Sequence, residues 1–244
     1  MIENNNVRMG YRDGMPIGVG YFAMSFAFGL FAVSMGISPL EAVLISMFNL
    51  TSAGQIAAVP IITAGASLVE LALTQIVINA RYALMSISLS QRLGDSVRQR
   101  DRFWVAFFNT DEIFAVSCAK GTKLGKKYLF AVSLLPYLAW SLGTLFGAIA
   151  GNVLPEILVN ALSVSLYAMF VAILIPSAKL SRNNALCILS AIAVSCAFYF
   201  IPLLKQIHTG VVIIISTVAI SALFAIIAPI KDPDPWCGEE AENV

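Results

Sequence analysis

The sequence predicts an all-α, polytopic integral membrane protein with about six full transmembrane helices and two broken or re-entrant helical segments, at 39–65 and 103–118. Three observations carry that prediction. Hydrophobic residues make up 59% of the chain and charged ones 12%, at a mean hydropathy of +0.84, whereas soluble domains carry about 25% charged residues. Uncharged runs cover Gly14–Leu40, Ala42–Val69, Tyr128–Pro155, Ile157–Ala178, Asn183–Leu204 and Thr209–Ile230, each longer than the ~20 residues a helix needs to cross the hydrocarbon core. Finally, Arg81, Asp111 and Glu112 fall inside stretches that otherwise read as continuous membrane.

Residues 1–14 read as a cytoplasmic N-terminal segment without a cleavable signal, since Glu3 and Asp13 sit beside Arg8 and Arg12. A first helix follows near 15–36. Ser38-Pro39-Leu40-Glu41 then has the chemistry of a helix start: a capping hydroxyl, a proline that wastes no N–H in the first turn, and an acid at the positive helix end. The 39–65 stretch is interrupted by Asn49-Leu50-Thr51-Ser52-Ala53-Gly54-Gln55. A helix near 67–90 contains Arg81, and 103–118 is a short apolar segment interrupted by Asn109-Thr110-Asp111-Glu112. Four ordinary helices close a single transmembrane domain of residues 15–230, near 128–150, 156–179, 184–203 and 209–229. The acidic, proline-bearing stretch 231–244 reads as a disordered cytoplasmic tail.

Charge sets the threading. If every segment crossed once, Arg92, Arg98, Arg100 and Arg102 would face the opposite side from Lys120, Lys123, Lys126 and Lys127, against the positive-inside rule. If 39–65 and 103–118 dip in and return, 13 of the 15 basic residues are cytoplasmic, Lys205 lies outside and Arg81 is within the membrane. Both termini are then cytoplasmic. One long broken helix at 39–65 is the alternative. Non-helical backbone at membrane depth survives only where protein or water satisfies it, and such breaks point to a transporter's binding site.

Three clusters carry candidate chemistry. In Thr51-Ser52-Ala53-Gly54-Gln55, small residues and a break would aim the N–H groups of the following helix, after Gly54, into the membrane, where a carboxylate binds well. Asn79-Ala80-Arg81-Tyr82 places a guanidinium in mid-helix, fit either for a substrate carboxylate or for pairing with an acid. Asp111-Glu112 supplies two acids, one to neutralise Arg81 and one for a coupled proton or a substrate ammonium. An ionised side chain at bilayer depth costs about 2.5–3.5 kcal/mol on insertion scales, which makes such residues paired and functional by default. The substrate-binding candidates are therefore Thr51, Ser52, Gly54, Gln55, Asn79 and Arg81, and the coupling or ion-pair candidates Asp111, Glu112 and Arg81. Gly29, Gly143 and Gly147 read as helix-packing positions.

Other chemistries lack their signatures. The chain has no H-E-x-x-H, G-x-S-x-G or Walker loop, so no enzyme is expected and no cofactor. Cys118, Cys187, Cys196 and Cys237 lack metal-ligand spacing, His208 sits at a helix boundary, and a net charge of +1 gives no footprint for nucleic acid.

At these clusters the chain resembles the AzlC/YgaZ family of branched-chain amino acid permeases. The resemblance rests on Phe26-Ala27-Phe28-Gly29-Leu30, Gly36-Ile37-Ser38-Pro39-Leu40-Glu41, Ser52-Ala53-Gly54-Gln55, Asn79-Ala80-Arg81-Tyr82 with Ser88-Leu89, and Thr110-Asp111-Glu112-Ile113-Phe114-Ala115 with Ala119-Lys120. It runs over about 20–230. It implies a bacterial inner-membrane exporter of valine, leucine and isoleucine, with methionine a further candidate. It also implies a small hydrophobic partner of the AzlD/YgaH type and coupling to an electrochemical gradient rather than ATP. This chain has Ser52-Ala53-Gly54-Gln55 where many relatives read Gly-Ala-Ser-Gln, and Arg81-Tyr82 where they have Arg-His. Alternatives from the residues alone are transport of another small metabolite and a non-transporting scaffold or sensor.

Overall fold

The computed structural model describes residues 3–120, 122–155, 181–201 and 209–228, with a few isolated positions between 157 and 207. The expected helix at 156–179, apart from such positions, and Lys205, His208, Cys237 and the expected tail at 231–244 lie outside the described residues.

The first helix, α1 (Val7–Ser34), starts eight residues before the sequence suggests. The Asn6 side chain accepts from the N–H groups of Arg8 and Met9, and the helix runs on through Pro16. The 39–65 stretch divides into α2 (Pro39–Phe48) and α3 (Ser52–Thr63). Ser38 and Glu41 form the expected capping box at the start of α2. α4 (Leu68–Ser90) follows. The second interrupted segment becomes α5 (Gln99–Phe108) and α6 (Asp111–Cys118). α7 (Lys126–Val153), α8 (Arg182–Phe200) and α9 (Thr209–Ile227) complete the described helices. Among the described residues, five helices (α1, α4, α7, α8 and α9) are long and apolar enough to cross a membrane.

Threading follows from which ends meet. Strand β1 (Glu3–Asn4) pairs in parallel with β2 (Lys123–Leu124), and Leu93 bridges to Leu124. The Lys123 ammonium donates to the Gln91 carbonyl, and Arg92 donates to the Cys118 carbonyl at the end of α6. The start of α1, the end of α4, the end of α6 and the start of α7 therefore share one end of the molecule. The 91–102 arginines and the 120–127 lysines lie together there. The segment 99–118 leaves that end and returns to it. By the same logic α1 ends, and α4 starts, at the opposite end, so α2–α3 enters from there and returns. Each arm of these hairpins is 8 to 12 residues long, about 12–18 Å, or half of a ~30 Å hydrocarbon core.

The fold thus contains two units of one construction, 39–90 and 99–153, entering from opposite ends. Each is a short helix closed by an asparagine (Asn49, Asn109), a break ending in a threonine N-cap (Thr51, Thr110), a second short helix and then a full-length one. Opposed repeats of this kind place binding sites where their breaks meet.

α1 and α7 form the central pair. A Cβ on Gly143 would run into Ser25 and Phe22, one on Gly147 into the Phe26 carbonyl, and one on Gly29 into the Thr144 carbonyl. The three glycines are contact points where two backbones nearly touch, as their spacing suggests. Gly10 and Gly14 continue the contact against Tyr128 and Val132.

Candidate functional site

The middle of the molecule is organised by one face of α4. Gln75, Asn79, Tyr82 and Ser86 follow one another at spacings of four, three and four, which aligns them along a helix. Gln75 Nε2 donates to the Gly54 carbonyl at 2.9 Å, and its Oε1 accepts from Asn49 at 3.3 Å and from Asn79 at 3.2 Å. Asn79 Oδ1 accepts from the Thr51 hydroxyl at 2.9 Å. The first break is therefore sewn to α4 by side chains that take over from the missing helical hydrogen bonds. The second break is held by the same helix, through Asn109 Nδ2 to Ser86 Oγ at 3.2 Å and through Arg81 to Asp111 at 2.6 Å.

Glu112 takes a different partner. Its Oε2 accepts from the Tyr21 hydroxyl at 2.5 Å, and that hydroxyl lies 2.7 Å from Thr110 Oγ1. Tyr21 is buried on α1 and packs edge-on against Trp140 of α7, with ring centroids 5.1 Å apart. The two neighbouring acids thus diverge, Asp111 to a cation on α4 and Glu112 to a phenol on α1. The Arg81 guanidinium also lies 5.0 Å from the Tyr82 ring centroid.

Between these groups lies a cavity of about 340 Å³, near the lower end of the ~300–1,000 Å³ typical of small-molecule sites. Its polar lining is Ser52, Arg81, Thr110, Asp111 and Glu112 with Tyr21 and Tyr82; Met24, Leu50, Ile78 and Trp140 supply apolar wall, and Thr217 closes it from α9. Both break helices point their N-termini here. α6 carries Asp111 and Glu112 in its first turn, which complement its positive end. α3 has no acid in its first turn and no side-chain cap from Thr51, so its amide donors and half-positive end remain for another partner.

The structure divides the expected site residues. Ser52, Arg81, Asp111 and Glu112 line the cavity. Thr51, Gly54 and Asn79 hold the break and do not line it. Gln55 is fully buried and donates to Ser46, which shares a 2.7 Å hydrogen bond with Thr144 of α7. The helix N-terminus expected after Gly54 begins at Ser52 instead, because the break is at 49–51 and Gly54 already lies in the first turn. Tyr21, Trp140, Gln75 and Thr217 were not anticipated. Tyr21 and Gln75 had a signal, as hydrogen-bonding side chains within apolar helices; Trp140 and Thr217 had none apart from position.

Comparison with known proteins agrees with this architecture. The AzlC protein family matches residues 16–154, which include both hairpins, all of α7 and α1 from residue 16 on. The chain is 31% identical over 190 residues to the inner membrane protein YgaZ of Escherichia coli, covering 75% of this chain and 77% of that one. It is 31% identical over 198 residues to an uncharacterized membrane protein of Archaeoglobus fulgidus, covering 80% and 86%. A Helicobacter pylori membrane protein is 29% identical over 149 residues, covering 58% and 64%. No solved structure matches. With more than half of its length matched, including every residue of the cavity wall except Thr217, the chain belongs to the AzlC family of membrane proteins.

Proposed function

We propose that this protein is the large subunit of a secondary exporter of branched-chain amino acids in the bacterial inner membrane, and not an enzyme. Valine, leucine and isoleucine are the substrates, with methionine of similar size. A small hydrophobic membrane protein of the AzlD/YgaH type works with it, and an electrochemical gradient supplies the energy. The observation that carries this reading is the cavity. At one place it offers an uncompensated helix N-terminus with Ser52, acids on α6, and an apolar wall of Met24, Leu50, Ile78 and Trp140. A zwitterion with an aliphatic side chain has those three parts.

In this reading the substrate carboxylate sits on the first-turn amides of α3, where charge-assisted bonds to backbone N–H groups need no side-chain cation. Arg81 is occupied by Asp111 and locks α6 to α4. The hairpins enter from opposite ends and meet at the cavity, so a modest rocking of one unit against the other would open it to alternate sides.

The test is efflux from cells fed valine-, leucine- and methionine-containing dipeptides, with the chain expressed alone and with its small partner. Partner-dependent efflux of valine or leucine supports the reading. Normal membrane levels of both proteins without such efflux reject it.

A further inference from the structure

We infer that Glu112, and not its neighbour Asp111, is the residue that selects the substrate's amino group; this rests on the reading of the cavity as an amino acid site. The two carboxylates are adjacent in sequence and both line the cavity, yet they are not equivalent. Asp111 Oδ2 is 2.6 Å from Arg81 Nη1, so its charge is answered within the protein. Glu112 makes no ion pair among the described residues. Its Oε2 is held by Tyr21 at 2.5 Å, and its Oε1 accepts no hydrogen bond among them. A phenol donates one hydrogen bond and brings no charge.

The charge of the cavity gives the same answer. Its charged lining is one cation, Arg81, and two carboxylates, Asp111 and Glu112, while the Tyr21 hydroxyl donates to Glu112 and the Tyr82 hydroxyl accepts from Arg81 at 3.3 Å. One negative charge is left over, at Glu112. The positive end of α6, which both acids share, answers it in part, while the half-positive end of α3 carries no acid and suits an anionic ligand group. A ligand that brings a cation to Glu112 and an anion to α3 satisfies both. A 2-oxo acid satisfies only the second and adds a charge to a site already negative.

Tyr21 gives the acid its direction. With Oε2 fixed to α1 and the ring braced on Trp140, Oε1 is the atom left for an ammonium donor. Glu112 therefore acts as a specificity determinant rather than a structural anchor.

The experiment measures binding of valine and of 3-methyl-2-oxobutanoate, its 2-oxo analogue, to the purified full-length protein, with melting temperature as the check on folding. Wild type should prefer valine by at least about tenfold. Glu112→Gln should melt near wild type, bind valine about 10- to 100-fold more weakly, as expected for loss of a charge-assisted hydrogen bond, and lose most of the preference. A folded Glu112→Gln protein that keeps the wild-type preference overturns the inference and leaves the amino acid reading intact. Wild-type protein that binds neither compound overturns that reading and the inference with it. Should Glu112→Gln not fold, Glu112→Asp decides: withdrawing the carboxylate by one methylene should weaken valine selectively, and equal weakening of both compounds overturns the assignment.

Discussion

Arg81 on α4 and Asp111 at the first position of α6 form an ion pair of 2.6 Å that joins the second break to the helix holding the first. Both side chains are about half exposed to the cavity, at 49% and 42%, so either charge alone would remain wetted but unanswered in the middle of the protein. Removing one partner costs more than removing both, because an unpaired charge at membrane depth is worth about 2.5–3.5 kcal/mol. Arg81→Met and Asp111→Asn should each lower the amount of folded protein in the membrane. The double variant should recover much of that loss. Fluorescence size-exclusion of detergent extracts checks this, and equal levels for all three variants would mean the pair has no structural role.

Gln75 bonds three partners at once, the Gly54 carbonyl, Asn49 and Asn79. A leucine there keeps the volume and strands those partly buried groups, for which the about 1–3 kcal/mol cost of a fully buried unsatisfied polar group is the upper bound. Gln75→Leu should therefore lose the folded state or melt well below wild type, despite making α4 more apolar. Gln75→Glu should also fail, because it loses the donor to Gly54. A Gln75→Leu protein melting at the wild-type temperature would show that the break holds itself.

These two relationships also mark what the sequence reveals. Composition and the uncharged runs suffice for the long helices α4 and α7, since the rule is length against bilayer thickness, and their observed bounds differ from expectation by no more than three residues. The paired arginine and lysine clusters foretold that 103–118 returns to its starting end, and they meet there through β1, β2 and Leu93. The two opposed units were not legible. They share little beyond Asn and Thr at the breaks, positions fixed by backbone chemistry, while the apolar remainder is free to drift. Nor could sequence tell which polar residues face the cavity. Asn79 and Arg81 are two residues apart, about 200° around the helix, so one is turned to the break and the other to Asp111. α1 was expected to start near 15 because Arg8, Arg12 and Asp13 look like a solvated lead. Asp13 is instead paired with Lys120 at 2.6 Å and accepts from Tyr128 at 2.9 Å, which lets charged residues sit in a packed helix.

The close α1–α7 crossing makes its own prediction. Gly147 has the Phe26 carbonyl where a Cβ would be, and backbone cannot swing aside as a side chain can. Gly147→Ala should separate the helices and cost about 1–3 kcal/mol, and Gly147→Val more. Gly20, which faces open space on the same α1, should accept alanine at no loss. Melting curves of the purified variants compare them directly. Equal stability of the Gly147 and Gly20 alanine variants would contradict the packing.

Asp101 and Lys126 give the last prediction, at the end of the molecule where the strands pair. Lys126 Nζ lies 2.6 Å from Asp101 Oδ1, and the other oxygen accepts from the Arg98 amide at 3.1 Å. The hydrogen bond from Lys126 is the main cause that holds the Asp101 carboxyl below its usual range, with the Arg98 amide adding to it against some desolvation. A carboxyl whose folded value lies below its unfolded value of about 3.9 stabilises the fold at every pH above that unfolded value. The contribution fades only as pH falls through the lower, folded value. Asp101→Asn should therefore reduce the melting temperature by the same amount at pH 8 and pH 6, and the difference from wild type should close below about pH 4. Asp101 accordingly stays ionised through the pH range in which cells live, and a pH dependence of transport between pH 6 and 8 should survive in Asp101→Asn. Melting and efflux measured on the same variant separate the two outcomes. A difference in melting temperature that already shrinks between pH 8 and pH 6 would place the titration of Asp101 well above where this geometry holds it.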